Sequence, residues 1–281
     1  MEENSKQIAK KSKSSFYYAF SLLSAPKREA MNTVYAFCRK TDDIVDEGTD
    51  SDDLKYERLR KWRVELERAL VHSTSEYNLL NRLGEIIKQF NIPIEPFFDL
   101  IHGMEMDLRQ KRYFSFDDLS KYCYYAASTV GLMCIEIFGY KNKSARDYAI
   151  NLGLALQLTN ILRDVKTDAN NGRIYLPQED LRKFGYSEND LFNDTYNEQF
   201  VSLMKYEAER AKELFNKADS SLAFEDKPSM FAARAMEHIY SKLLIKLEEE
   251  NFDVFSKKIR VGKLEKAAIS VGVWAKYSLV Y

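Results

Sequence analysis

The sequence predicts an all-α fold, one domain over residues 1–281, and three observations carry that expectation. Long stretches repeat apolar residues three and four apart, and no segment alternates as a half-buried strand would. Only ten Gly and five Pro stand in 281 residues, too few for a turn-rich all-β or disordered chain. With 45% hydrophobic residues, a chain of this size buries roughly three quarters of its extended surface.

The elements follow in order from that spacing. Helices are expected over 16–24, 27–47, 53–71, 76–90, 94–111, 117–139, 144–168, 178–184, 196–220 and 228–250. Pro26, Pro93, Pro96, Pro177 and Pro228 fall at or near proposed starts, where a missing N–H costs least. Ser144 is the expected N-cap of its helix. No repeat, low-complexity block or long linker divides the chain.

Composition removes several function classes. Lys plus Arg number 42 against 43 Asp plus Glu, a net charge of -1, so a field for nucleic acid or a strongly anionic membrane is not expected. Cys38, Cys123 and Cys134 sit in apolar stretches without a CxxC pair, as small buried residues do in a reducing compartment. The N-terminus is polar, no apolar run reaches about 18 residues, and Lys276 breaks the apolar C-terminus. A cytoplasmic protein is expected, with at most peripheral contact at the inner face of a membrane. No GxGxxG, GxxxxGK[ST], GxSxG or HExxH occurs, and His72, His102 and His238 lack metal-ligand spacing, which argues against nucleotide-fold, zinc and serine-hydrolase chemistry.

Two helices carry chemistry instead. Tyr35, Arg39, Asp42 and Asp46 follow at spacings of four, three and four, hence on one face. Carboxylates one turn apart suit Mg²⁺, which keeps several waters and completes its shell from a substrate phosphate. Arg39 can fork onto phosphate oxygens. A solvated acidic helix end gives the same pattern. The second helix, LGLALQLTNILRDVKTD, is apolar nearly all round, yet one stripe reads Gly153, Gln157, Asn160, Asp164 and Asp168. Unpaired charge inside a protein costs several kcal/mol. Either a buried salt-bridge network or a water-filled metal cavity explains the stripe, and the pair of acidic helices favours facing platforms for a diphosphate.

Smaller signals cluster around these helices. Tyr124, Ala127, Ser128 and Gly131 share a helical face whose small side chains either leave room for ligand or allow close helix packing. Phe16, Tyr18, Phe20, Tyr35, Tyr124 and Tyr240 are candidate cavity walls able to stabilise a cation, or simply core. Lys10, Lys11 and Lys13, and again Lys257, Lys258, Arg260, Lys263 and Lys266, either close over a phosphate or are solvated surface. Gly172 and Arg173 stand where a flexible lid would put them.

Taken together, SSFYYAF, YAFCRKTDDIVDE, YCYYAASTVGL, LGLALQLTNILRDVKTD and GRIYLP resemble the squalene and phytoene synthases, head-to-head trans-isoprenyl diphosphate synthases. The resemblance spans nearly the whole chain and is strongest to bacterial presqualene diphosphate synthases. It implies a single-domain isoprenoid-synthase bundle with a central cavity, and Mg²⁺ (or Mn²⁺) held by Asp42, Asp46, Asn160, Asp164 and Asp168. Ser14, Ser15, Phe16, Tyr35, Arg39, Gln157, Arg163 and Tyr240 are the implied substrate contacts, and Tyr124 joins the four aspartates as a candidate catalytic residue. The implied reaction joins two farnesyl diphosphates to presqualene diphosphate. NADPH is needed only if the product is reduced to squalene. The alternatives are phytoene synthesis from two geranylgeranyl diphosphates and a non-catalytic helical assembly protein. One departure stands out: many members carry Gly-Glu between the last two aspartates, where this chain has Lys166 and Thr167. Helical spacing turns both away from the acidic stripe.

Overall fold

The computed structural model describes residues 15–72 and 74–279, with side chains over 18–71 and 74–277. In chain order the helices are α1 (Ser15–Phe20), α2 (Ala25–Asp46), α3 (Asp52–His72), α4 (Asn78–Phe90), α5 (Glu95–Arg109), α6 (Phe116–Cys123) and α7 (Thr129–Phe138). They continue as α8 (Ala145–Asn170), α9 (Gln178–Lys183), α10 (Glu188–Phe192), α11 (Glu198–Ser221), α12 (Phe231–Glu249) and α13 (Lys263–Leu279). Among the described residues the only sheet-like pairing is a single bridge between Arg112 and Ile174.

The two helices with the informative motifs form the frame. Pro26 lies in the first turn of α2, and the helix stops where Glu47 turns extended and Gly48 adopts φ +81°, a conformation that favours glycine. The 26 residues of α8 extend about 39 Å at 1.5 Å per residue and pack along α11, α7 and α12. Ser144 does not cap α8 through its side chain, because its backbone is already helical. Asp226 instead receives the N–H groups of Lys141 and Asn142 at 2.7 and 2.9 Å.

One expected helix, 117–139, is interrupted. Tyr124–Ser128 forms a turn of π-helix in which the Thr129 N–H reaches back to the Tyr124 carbonyl. Close approach to α8 accompanies it: a Cβ on Gly153 would stand 2.5 Å from Ser128 Cα, and one on Gly131 would stand 2.9 Å from the Ala149 carbonyl oxygen. Among the described residues, two α-helices lie outside the expected set. In α10, Ser187 and Asp190 close a reciprocal capping box. In α13, Ser270, Val273 and Tyr277 form a buried stripe packed on α12, so tertiary burial holds a segment whose Gly272 and β-branched residues give weak intrinsic helicity.

Candidate active site

A cavity of about 300 Å³ runs between α2, α7, α8 and α12, with the π-turn on one wall. That is at the lower edge of the roughly 300–1,000 Å³ of ligand sites. Its polar end carries Arg39, Asp42, Gln157 and Asn160; the remainder is lined by apolar and aromatic groups including Phe20, Tyr35, Phe138, Tyr148 and Tyr240. The helix directions explain the polarity. Contacts of Gly131 with Ala149 and of Gly153 with Ser128 show α7 running antiparallel to α8, so Phe138 lies at the end away from Asn160. Lys27, in the first turn of α2, donates to the Phe138 carbonyl at 2.6 Å, placing the start of α2 at that same closed end and its acids at the open one.

Acids from three helices surround the open end. Asp42 and Asp46 come from α2, and Asp164 and Asp168 from α8. Asp107 of α5 is 5% exposed and close enough to raise the pKa of both Asp42 and Asp168. Asp42 is pushed up to about 7, first by desolvation and then by Asp46. Asp168 is likewise pushed up to about 7, by desolvation and then by Asp164. Desolvation also raises Asp107, against the opposing pull of Arg173.

Arginines answer these charges. Arg39 approaches Asp42 at 3.5 Å and Asp43 at 2.7 Å, and the Arg163 guanidinium pairs with Asp164, Nε to Oδ1 at 2.8 Å. Arg173 reaches Asp46 at 2.9 Å and Asp107 at 3.4 Å, while Tyr175 donates to Asp107 at 2.6 Å. Lys266 of α13 lies partly buried near Arg163; burial first, then that arginine, lowers its pKa.

Six of the fourteen site residues expected from sequence line this cavity, while Asp46, Asp164 and Asp168 stand outside its lining. Tyr35, Arg39, Asp42, Gln157, Asn160 and Tyr240 line it, and Arg163 stands beside Tyr240. Tyr124 does not: the π-turn shifts the register, and its ring packs edge-on against Tyr125 at 5.4 Å. Ser128 turns into α8, donating to the Ile150 carbonyl at 2.8 Å, so only Ala127 and Gly131 of that four-residue face line the cavity. Ser14 and the side chains of Ser15 and Phe16 lie outside the described residues, as do Lys10, Lys11 and Lys13. The Gly172–Arg173 segment is tied by the Arg173 ion pairs and by Arg112 donating to the Gly172 carbonyl at 2.7 Å, which corrects the reading of a free lid. Lys166 points away from the acids, donating to Asp194 at 2.6 Å and to the Phe255 carbonyl at 2.9 Å. Asp107 was missed by motif reasoning; it is one of three acids in FFDLIHGMEMDL and has no acid three or four residues away to mark a face.

The donor set fits a hard divalent cation. All the candidate ligands are oxygen atoms, and Asn160 Oδ1 is buried with no hydrogen-bond partner, an acceptor awaiting a cation or donor. Among the described residues no three His, Cys, Asp or Glu side chains converge tightly enough to hold an ion alone.

The squalene/phytoene synthase family model matches residues 9–265. The chain belongs to that family. A 15-cis-phytoene synthase from Synechococcus elongatus is 36% identical over 94% of this chain and 89% of its own. A chloroplastic phytoene synthase from an Oncidium hybrid is 35% identical over 92% of this chain. This chain spans only 64% of that relative's length. Among solved structures, a dehydrosqualene synthase with bound ligand superposes with a TM-score of 0.86 at 31% identity, covering 99% and 96% of the two chains. A squalene synthase from Alicyclobacillus acidocaldarius gives 0.77 at 26% identity, over 88% and 94%. The family shares the all-α isoprenoid-synthase bundle, and no described helix here is long and apolar enough to cross a membrane.

Proposed function

We propose that the protein joins two allylic isoprenoid diphosphates head to head, with two farnesyl diphosphates giving presqualene diphosphate as the leading reading. The observation that carries it is that Asp42 and Asn160, one from each acidic face, line the polar end of a largely apolar cavity, with Asp107 close enough to Asp42 and Asp168 to link the two faces. In this reading the two acidic faces hold Mg²⁺, which supplies charge neutralisation for a departing diphosphate. Arg39, Arg163 and Lys266 take phosphate oxygens that the carboxylates would repel. The C–O bond of one substrate breaks, releasing pyrophosphate. The double bond of the second substrate attacks the allylic carbon, and loss of a proton closes a cyclopropane. Tyr35, Phe20 and Tyr240 line the cavity and exclude water; an aromatic face turned toward a carbocation is worth about 0.5 to 2 kcal/mol.

The second reading, two geranylgeranyl diphosphates giving phytoene, is favoured by the names of the phytoene synthase relatives. Products from farnesyl and geranylgeranyl diphosphate, with and without NADPH, decide between them. Presqualene diphosphate without NADPH supports the first, and exclusive phytoene formation overturns it in favour of the second. Squalene formed only with NADPH would extend the first by a reductive step. EDTA should stop condensation and Mg²⁺ restore it, without a zinc requirement. Full activity in metal-free buffer would overturn the metal assignment.

A further inference from the structure

The closed end of the cavity has a built floor. Tyr148, at the start of α8, lines the cavity while being 0% exposed to solvent. It lies twelve residues before Asn160, which puts it about 18 Å from the polar end along the helix axis. Phe138 and Phe20 line the same end, with ring centroids 6.5 Å apart.

What distinguishes Tyr148 from those phenylalanines is that it cannot swing aside. Its hydroxyl donates to Glu237 of α12 at 3.1 Å. Glu237 faces Arg234 at 3.6 Å, and Arg234 is anchored to Asp219 of α11 at 2.7 Å. Tyr148, Glu237 and Arg234 are buried behind the cavity wall while Asp219 is half exposed, and none of the four takes part in the diphosphate site. Turning the ring away would leave its buried hydroxyl without an acceptor and take from Glu237 one of its two partners, a desolvation penalty that opposes the motion. A tail entering diphosphate first at the acids therefore ends against a fixed ring.

We propose that Tyr148 sets the longest isoprenoid tail the cavity accepts, and that Glu237 is the positioning residue that holds its ring across the floor. The inference rests on the proposed condensation and deepens it: a fixed floor favours the shorter, farnesyl-length tail over one longer by an isoprene unit. A hydrophobic pocket discriminates about tenfold or more per methylene-sized difference, so opening the floor should be easily read.

The test compares wild type, Tyr148→Phe, Tyr148→Ala and Glu237→Gln, measuring kcat/KM for farnesyl and for geranylgeranyl diphosphate, with thermal melts alongside. Tyr148→Ala should raise the geranylgeranyl-to-farnesyl ratio at least about tenfold. Tyr148→Phe keeps the ring but loses its tether, and should shift the ratio less, as should Glu237→Gln. General destabilisation lowers both rates together and leaves the ratio alone. If Tyr148→Ala does not fold, Tyr148→Leu opens the same end by a smaller volume and must move the ratio in the same direction. A folded Tyr148→Ala or Tyr148→Leu with an unchanged ratio overturns the proposal. A wild type that condenses neither diphosphate overturns the underlying reaction instead.

Discussion

At the scale of single residues, the acids are held in a state their surroundings resist. Asp42 and Asp168 are both pushed up to about 7, far above an unfolded aspartate near 3.9. The native state therefore binds more protons than the unfolded one between those values, and metal-free stability falls as pH rises from about 4 through 7. Asp42→Asn should raise the melting temperature at pH 8, with the gain shrinking toward pH 5. Because 43% of the Asp42 side chain is exposed, the gain is discounted to about 1 kcal/mol, or about 2–4 °C in a thermal melt. A gain that grows toward pH 5 would refute the repulsion account. Asp42→Ala and Asp164→Ala should each lower turnover about a hundredfold or more while circular dichroism stays helical. Retained turnover, or loss of fold in both, would sink their assignment as ligands. These acids were legible because helical spacing converts directly into a face. Asp107 was not, since one acid has no spacing, and only the fold brings it beside the other two helices.

At the scale of elements, long amphipathic helices were readable and their interruptions were not. The expected helices at 27–47, 53–71 and 144–168 differ from α2, α3 and α8 by no more than two residues at either end. The π-turn escaped because it inserts no proline or glycine at its own positions; it is set by the close seam with α8. That seam also decides between the two readings of the small residues. Gly131 and Gly153 are small chiefly because the facing backbone is close, whereas Ala127 lines the cavity without appearing in that seam. Gly153→Ala should thus cost about 1–3 kcal/mol, read as a lowered melting temperature, and unchanged stability would show that the seam relaxes freely. Ala127→Phe is the variant that narrows the cavity. Lys166 makes its contacts outside the site, so Lys166→Ala should cost no more than about 1 kcal/mol and leave the Mg²⁺ requirement unchanged. A shifted requirement would place Lys166 in the acidic site after all.

At the scale of the whole molecule, the acids must be kept together before any substrate arrives, and Arg173 does this from outside the helices that carry them. It is 15% exposed and spans Asp46 of α2 and Asp107 of α5. Its segment follows directly on α8, so one guanidinium links three walls of the open end. Removing it leaves Asp107 buried without its counter-charge, and breaking a buried pair costs about 3–5 kcal/mol. Arg173→Gln should therefore melt well below wild type in metal-free buffer at pH 8. Mg²⁺ should recover more stability in the variant than in wild type, because it meets more uncompensated acid. Binding of a ligand to the folded state stabilises in proportion to the logarithm of its concentration over Kd, so tenfold tighter binding adds about 1.4 kcal/mol at saturating metal. Thermal melts with and without Mg²⁺, backed by calorimetric titration, read both effects without any turnover. Equal Mg²⁺ stabilisation in the two proteins would show that Arg173 only packs the loop, whereas a larger response in the variant would identify it as the internal counter-charge that a divalent ion supplements.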